Sequence, residues 1–271
     1  MLSSHSQRIF TGLAMLVALC AVMALGGWYV FGAALLVALL GLLEYYALFW
    51  PGRQGIGKKA IGLVLASCIF LAARSQNMEL LAAVLLASFW TANMFFLFCY
   101  GTKDRNASFA NAAVLFTGLL YLPLSLQLFL FLSPAESALV LLATIASDTG
   151  AYYAGCLIGG PKIWPVVSPK KTWAGSFGGM SASVVVSLII GLGFGNTLQT
   201  PWWIWICLGI ILNIAAQFGD FFESALKRRL GVKDSGHLLP GHGGIMDRID
   251  GLVLVLPVYF AARTLYPLFV N

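Results

Sequence analysis

The sequence predicts an all-α polytopic membrane protein, and three observations lead to this fold class. Hydrophobic residues make up 60% of the 271-residue chain, charged residues make up 10%, and the mean hydropathy is +0.88. Soluble domains contain about 25% charged residues. The apolar residues form runs that suit about 30 Å of hydrocarbon, and the cations lie mainly between them. Because backbone polar groups in lipid must be satisfied internally, these runs should be helices.

We expect about nine membrane spans, although eight or ten remain alternatives because the third run is short and the fifth contains Pro123. Alternate loops on one side hold most of the 16 lysines and arginines, so the positive-inside rule places the N-terminus in the cytosol and the C-terminus outside. The first run lacks a small-residue cleavage pattern and is expected to be an uncleaved helix. The runs are approximately 9–26, 28–49, 60–73, 79–100, 110–133, 135–158, 174–195, 201–226 and 249–268.

The composition also predicts one integral membrane domain over residues 1–271. Residues 1–140 contain scattered charges and should form scaffold spans, whereas residues 141–271 hold most of the ten acidic residues and should form the functional half. The formal charge of +6 does not indicate nucleic-acid binding, because the cations lie in short loops where they set topology. The five cysteines show no CxxC spacing, which argues against a zinc site or a disulfide framework.

Residues 224–250 form the most strongly charged block of the chain. Its sequence is SALKRRLGVKDSGHLLPGHGGIMDRID. A charged group at the centre of a bilayer costs about 2.5–3.5 kcal/mol on insertion scales, so charges packed between spans usually have a function. Carboxylates, cations and a glycine-rich turn together suit a divalent metal that holds a phosphate. The block therefore indicates phosphate chemistry at a membrane surface.

The eighth run places Asn213, Gln217, Asp220, Ser224 and Lys227 on one helical face, because they are spaced by three or four residues. In lipid, such a polar stripe must face protein or a wet cavity. Hydrogen bonding between helices would account for Asn213 and Gln217. It accounts poorly for Asp220, whose carboxylate needs a cation or a metal as its partner.

Asp247 and Asp250 lie three residues apart at the expected start of the ninth helix, so they face the same way. Favourable interaction with the helix dipole is one explanation for two acids at this position. The other is a Mg²⁺ site, because a hairpin could bring Asp220 opposite Asp247 and hard oxygen ligands would then come from two helices.

A turn at residues 240–244 precedes the ninth helix. Gly243 and Gly244 would let backbone N–H groups approach a phosphate closely, although a tight reversal alone would also need glycine. His242 is either a hydrogen-bond donor to phosphate or a residue that orders the loop.

Two further segments and one isolated acid are candidates. Lys170 and Lys171 precede the seventh helix, where they could bind an anion or serve as a positive-inside anchor. Asp148 lies inside the sixth run and is expected to be functional or paired with a lysine. Glu44, beside two tyrosines, is expected at the membrane interface.

These motifs resemble the signature of the phosphatidate cytidylyltransferases, also called CDP-diacylglycerol synthases. The resemblance covers most of residues 144–257. Its positions in the charged block are Ser224, Lys227-Arg228, Lys233-Asp234, Gly236, Pro240, His242-Gly243-Gly244, Asp247-Arg248 and Asp250; outside the block they are Ser147–Tyr152, Ser168–Trp173 and Gln217–Asp220.

The resemblance implies that CTP and phosphatidic acid react, with Mg²⁺ and a possible second cation, to give CDP-diacylglycerol and pyrophosphate. It implies an active site that faces the cytosol in the inner (plasma) membrane, in a protein that forms a homodimer. The implied catalytic residues are Asp220, Asp247, Asp250 and Lys227, of which the three aspartates would be metal ligands. The implied substrate-binding residues are Arg228, Lys233, Asp234, His242, Gly243, Gly244, Arg248, Ser168, Lys170, Lys171, Thr172 and Asp148.

Two positions depart from the family pattern. Ala174 stands where a Glu is usual, and Cys156 stands where an Arg is frequent. Neither belongs to the aspartate set, so the expected reaction is unchanged. The alternatives are a cytidylyltransferase for another lipid phosphate, of isoprenoid type, and an anion transporter. The transporter would require two similar halves with broken helices, and the halves of this chain are unlike.

Overall fold

The structure, a computed structural model, describes residues 4–53, 55–102, 108–194, 200–236, 238 and 243–270. Within these ranges every regular element is helical, as the sequence predicted, and only an isolated antiparallel bridge joins Lys162 to Thr172. The helices are α1 (Ser4–Leu25), α2 (Gly27–Phe49), α3 (Ile56–Arg74), α4 (Met78–Gly101), α5 (Phe109–Tyr121), α6 (Pro123–Leu126), a 3₁₀ helix (Gln127–Phe131), α7 (Pro134–Leu157), α8 (Trp173–Phe194), α9 (Trp202–Arg229) and α10 (Met246–Val270).

Each predicted apolar run is helical, and among the described residues seven segments are long and apolar enough to cross a membrane. These seven indicate a multi-pass integral membrane protein. The α7 helix, which matches the sixth run, is not among them, and α1 contributes a shorter apolar stretch, Gly12–Leu25. The count of nine spans and the orientation of the termini therefore stay predictions.

The fifth run is interrupted at Pro123. Helix α5 ends at Tyr121, α6 begins at Pro123, and the chain then tightens into the 3₁₀ helix. Proline has no N–H and is tolerated in the first turn of a helix, so the run breaks where its ring would clash with the preceding turn.

The chain forms two compact units. The first contains residues 1–130 and 234–247, and the second contains residues 131–233 and 248–271. The charged block predicted from the sequence is therefore divided between them. This division into units does not test the prediction of one membrane domain, which stays a prediction.

The core of the first unit surrounds Tyr46 of α2, which is fully buried. Its hydroxyl donates to the carbonyl of Leu115 in α5 at 2.8 Å. Further along α2, the Trp50 indole donates to Asn111 Oδ1 at 2.8 Å. These polar ends of large aromatic side chains fix the register of α2 against α5, because a buried donor must keep its partner.

The second unit is built on a very close approach of α7 and α8. A Cβ at Gly175 would lie 2.8 Å from the Ala151 carbonyl oxygen, and one at Gly179 would lie 2.7 Å from the Ser147 carbonyl oxygen. Small residues let helices in a membrane pack backbone to backbone. This packing brings the end of α7 beside the loop that precedes α8.

Candidate active site

The polar stripe of α9 divides into two kinds of contact. At its buried end, Ser147 of α7 donates to Asn213 Oδ1 at 2.8 Å, and Ser176 of α8 donates to Gln217 Oε1 at 2.7 Å. Both bonds join helices and confirm the structural role expected for Asn213 and Gln217. The stripe then continues to residues that are charged.

Asp220 has the cation partner that the sequence required. Its Oδ2 lies 2.5 Å from Lys171 Nζ, and its Oδ1 accepts from Ser224 at 3.1 Å. The Lys171 ammonium also lies 4.5 Å from the centre of the Phe221 ring. This combination of ion pair and cation–π contact holds Lys171 against α9.

Thr172, the residue after Lys171, anchors the start of α8. Thr172 is buried, and its hydroxyl accepts from the Gly175 N–H at 3.1 Å, which caps the start of α8. Ile163 donates from its N–H to the Lys171 carbonyl at 3.2 Å, which pairs the two ends of the connecting loop. Lys170 is exposed and Ser168 is half-buried in the same loop.

Asp148 and Asp250 interact electrostatically with both members of this ion pair. Asp148 of α7 interacts electrostatically with Asp250, Asp220, Lys171 and Arg248. The Asp250 side chain interacts with Asp220 and with Lys171, and it contacts the buried Glu223 carboxyl. Lys171 is one of the charges that act on Asp148, and the predicted role of Asp148 stays a prediction.

Close helix packing produces this crowding. Gly219 of α9 lies against the backbone of α10 at Asp250 and Gly251, where any Cβ would clash with the Asp250 carbonyl oxygen. Because glycine is the only residue that allows this approach, the carboxylates that flank the contact are brought together. Asp220, Asp250 and Glu223 are all placed by the one crossing of α9 and α10.

Glu223 was not singled out by the sequence interpretation. It is fully buried and lies 3.3 Å from Lys227 Nζ, one helical turn further along α9. The i, i+4 spacing to Lys227 could have revealed the pair, but Glu223 lies off the predicted stripe. Arg228, Lys233, Asp234 and Arg248 are exposed.

In the first unit, Asp247 lies in the first turn of α10 and organises the turn before it. Its Oδ2 accepts from the Ser235 N–H at 3.0 Å and from the Gly244 N–H at 2.8 Å, and it lies 3.0 Å from the Ser235 hydroxyl. The Gly244 N–H, predicted to approach a phosphate, therefore points to Asp247. The predicted roles of His242 and of the turn at Pro240 fall on residues outside the described ranges.

Glu44 lies inside the protein and does not face the surroundings, and its depth relative to the membrane interface stays a prediction. Glu44 is buried with 7% of its surface exposed, and it accepts hydrogen bonds from the N–H groups of Ile245 and Met246. A single acid among aromatic residues at the end of an apolar run does resemble an interfacial residue. Its partners lie some 200 residues away in the sequence, so only the fold identifies them.

Across the described part of the chain, no three His, Cys, Asp or Glu side chains are grouped closely enough to hold a metal ion. The donor chemistry of Asp220 and Asp250 nevertheless suits Mg²⁺, which prefers carboxylate oxygens. The three-aspartate metal site therefore stays a prediction.

Comparison with known proteins identifies the family of this chain. A model of the cytidylyltransferase family matches residues 6–266. The chain belongs to the cytidylyltransferase family. This match includes the first 140 residues, for which the sequence motifs gave no specific support.

Relatives of this family member are named phosphatidate cytidylyltransferase. One from Staphylococcus epidermidis is 32% identical over 93% of this chain and 96% of its own length. One from Staphylococcus haemolyticus is 34% identical over the same shares. A third, from Staphylococcus aureus strain COL, is 39% identical over 62% of this chain and 65% of its own length.

The two departures from the family pattern flank the α7–α8 connection of this cytidylyltransferase family member. Cys156 is exposed near the end of α7, and Ala174 is partly exposed in the first turn of α8. Neither side chain reaches the Lys171–Asp220 pair through a described hydrogen bond or ion pair.

Proposed function

We propose that this protein transfers the cytidylyl group of CTP to phosphatidic acid and releases CDP-diacylglycerol and pyrophosphate. The observation that supports this proposal most directly is the match over residues 6–266 to the cytidylyltransferase family. The relatives named phosphatidate cytidylyltransferase, which align with 93% of the chain, indicate the lipid substrate.

The reaction forms one P–O bond and breaks another. A phosphate oxygen of phosphatidic acid attacks the α-phosphorus of CTP, and the bond between that phosphorus and the bridging oxygen to the β-phosphate breaks. The electron pair leaves with pyrophosphate. Because the attacking phosphate is already ionised near neutral pH, no protein base is needed. Such transfers depend mainly on positioning and on neutralising charge.

Cationic side chains of the second unit are suited to that neutralisation. We assign Lys171 to a position against the phosphates, because its ammonium is already held beside Asp220 and Phe221. Lys227, whose stem is ordered by Glu223, would bind the triphosphate. The other proposed substrate-binding residues are Arg228, Lys233, Asp234, Arg248, Ser168, Lys170, Thr172, Asp148, Gly243, Gly244 and His242.

Asp220 and Asp250 are the proposed ligands of Mg²⁺, and Asp247 is the third member of the predicted set. When bound, the ion would supply positive charge to the phosphate oxygens and orient them. Without a metal, Lys171 supplies the counter-charge to Asp220. Asp148 would orient Lys171 or a second cation.

The proposed setting is the inner membrane, with nine spans and the active site facing the cytosol. Most lysines and arginines fall in loops assigned to one side, which is the observation behind this orientation. A homodimer is part of the proposal through the family resemblance alone.

The experiment is turnover of CTP by the purified protein in detergent, with phosphatidic acid and Mg²⁺. Pyrophosphate and the CDP-lipid should appear in equal amounts and stop with EDTA. An isoprenoid phosphate serves as the competing acceptor. Turnover only with that acceptor would contradict the lipid assignment, and no turnover with either lipid would contradict the reaction class.

A further inference from the structure

Glu44 of α2 is a buried carboxylate whose described donors are neutral groups of the charged block. Its Oε1 accepts from the Ile245 N–H at 3.0 Å, and its Oε2 accepts from the Met246 N–H at 2.9 Å. The Ser235 hydroxyl lies 3.1 Å from the same Oε2. These are N–H groups at the start of α10, which a carboxylate stabilises through the helix dipole.

Two glycines of the block are explained by the same carboxylate. A Cβ at Gly236 would clash with Glu44 Oε1, and a Cβ at Gly244 would clash with Glu44 Oε2 and with Ser235 Oγ. Glycine at both positions allows the backbone to approach Glu44 closely. Glu44 therefore contacts the chain on both sides of residues 237–242.

Ser235 links Glu44 to Asp247. Its hydroxyl lies 3.1 Å from Glu44 Oε2 and 3.0 Å from Asp247 Oδ2, so its one proton can be donated to either carboxylate but not to both. Its N–H also donates to Asp247. A change at Glu44 would thus alter the hydrogen bonding that fixes the direction of the Asp247 carboxylate.

We infer that Glu44 is a positioning residue for the reaction: it holds Ser235–Gly236 and Gly244–Met246 so that Asp247 keeps its working orientation. The inference rests on the proposed function. The first 50 residues thereby contribute to the active site, although no sequence motif of the reaction lies there. Groups that orient a first ligand typically change activity or metal affinity about 10–100-fold when they are mutated.

The test compares Glu44→Gln with Glu44→Asp. Gln has nearly the same shape, but its NH₂ group would meet one of the N–H donors of Ile245 and Met246 and lose that bond. We expect Glu44→Gln to lower kcat about 10–100-fold at saturating CTP and phosphatidic acid. Glu44→Asp keeps both acceptor oxygens and should recover part of this loss.

The matched control is Tyr46→Phe, two residues along the same helix. It removes the buried hydrogen bond to the Leu115 carbonyl and leaves the described hydrogen bonds of Glu44 to Ser235, Ile245 and Met246 in place. We expect its melting temperature to fall as in Glu44→Gln, while its kcat stays near that of the wild type. Equal kcat losses in the two variants would show that destabilisation alone explains the effect and would overturn the inference.

Hydrogen exchange provides a readout that does not depend on activity. The amides of Ile245 and Met246 should exchange faster in Glu44→Gln, whereas Tyr46→Phe should leave them protected. If Glu44→Gln does not fold, Ser235→Ala tests the same link and should lower kcat several-fold. Wild-type kcat in Ser235→Ala would then overturn the inference.

The outcomes separate the two proposals. A wild-type protein with no turnover overturns the proposed function and, with it, the positioning role. An active wild type with an equally active Glu44→Gln variant overturns only the role of Glu44.

Discussion

The buried carboxylates of the two units differ in the charge of the groups that surround them. In the first unit, the described hydrogen bonds to Glu44 come from backbone N–H groups and from the Ser235 hydroxyl. In the second unit, Asp220 faces the Lys171 ammonium and interacts with Asp250 and Asp148, and Glu223 faces Lys227.

The difference teaches which carboxylates are structural and which are suited to bind a charged ligand. A carboxylate held by neutral donors in fixed positions has a fixed direction and little need of a cation. Carboxylates that lie near one another need a positive charge to offset their repulsion. A flexible lysine can supply this charge, and another cation can replace it. Substrate or metal charge is therefore expected beside Asp220 and Asp250, whereas Glu44 is expected to fix the orientation of its neighbours.

The largest expected effect comes from the predicted ligands. Asp220→Asn and Asp247→Asn should each lower turnover about 10²–10³-fold or more, because each removes a charge arranged for the transition state. Both proteins should remain folded and inserted. The variants should differ in hydrogen exchange: Asp247→Asn should loosen the Gly244 amide, and Asp220→Asn should not. Near wild-type rates for Asp247→Asn would remove it from the metal set.

Lys171→Met should lower turnover by about 10²-fold, an effect of the size seen when one electrostatic donor is removed. The variant leaves Asp220 beside Asp148 and Asp250 without its ammonium. Lys171→Arg keeps the charge and should retain more activity. Lys170→Met is the matched control from the next position, where the side chain is exposed. A larger loss in Lys170→Met than in Lys171→Met would contradict the assignment of Lys171.

A smaller effect is expected at the buried end of the α9 stripe. Asn213→Ala removes the bond from Ser147 and should lower the free energy of unfolding by about 1–2 kcal/mol, within the range for buried hydrogen bonds in membrane and soluble proteins. Its kcat should not change. Equilibrium unfolding in detergent measures the first quantity, and a kcat loss above tenfold would contradict the purely structural role of Asn213.

The smallest effect is expected at Arg263, near the end of α10. Its guanidinium lies 3.1 Å from Glu136, and 46% of its side chain is exposed. Because exposed ion pairs contribute about 0–1 kcal/mol, Arg263→Gln should change stability by less than that and leave turnover intact. The melting temperature of the wild type, measured at increasing salt concentration, would check this estimate. Salt screens the ion pair between Arg263 and Glu136 and should therefore remove a similarly small part of the stability.

Much of the fold follows from local pattern. The apolar runs predicted the helices, and the spacing on α9 separated Asn213 and Gln217 from the charged residues. These predictions succeed because each depends on residues within one or two turns of each other.

The site was only partly predictable, because its partners are distant in the sequence. The sequence required a partner for Asp220 but could not choose Lys171 over Lys170, since the choice depends on how the loop before α8 packs against α9. Glu44 gave no local signal at all. Its role depends on backbone N–H groups, which look alike at every position of the sequence.

The close contact of α7 and α8 has a consequence for biogenesis. Gly175 and Gly179 leave no room for a lipid chain between the two helices. We expect α7 and α8 to leave the insertion machinery and associate as a hairpin before α9 is synthesised. The loop that contains Lys171 would then form early. The ion pair between Lys171 and Asp220 would form later, when α9 packs against the hairpin.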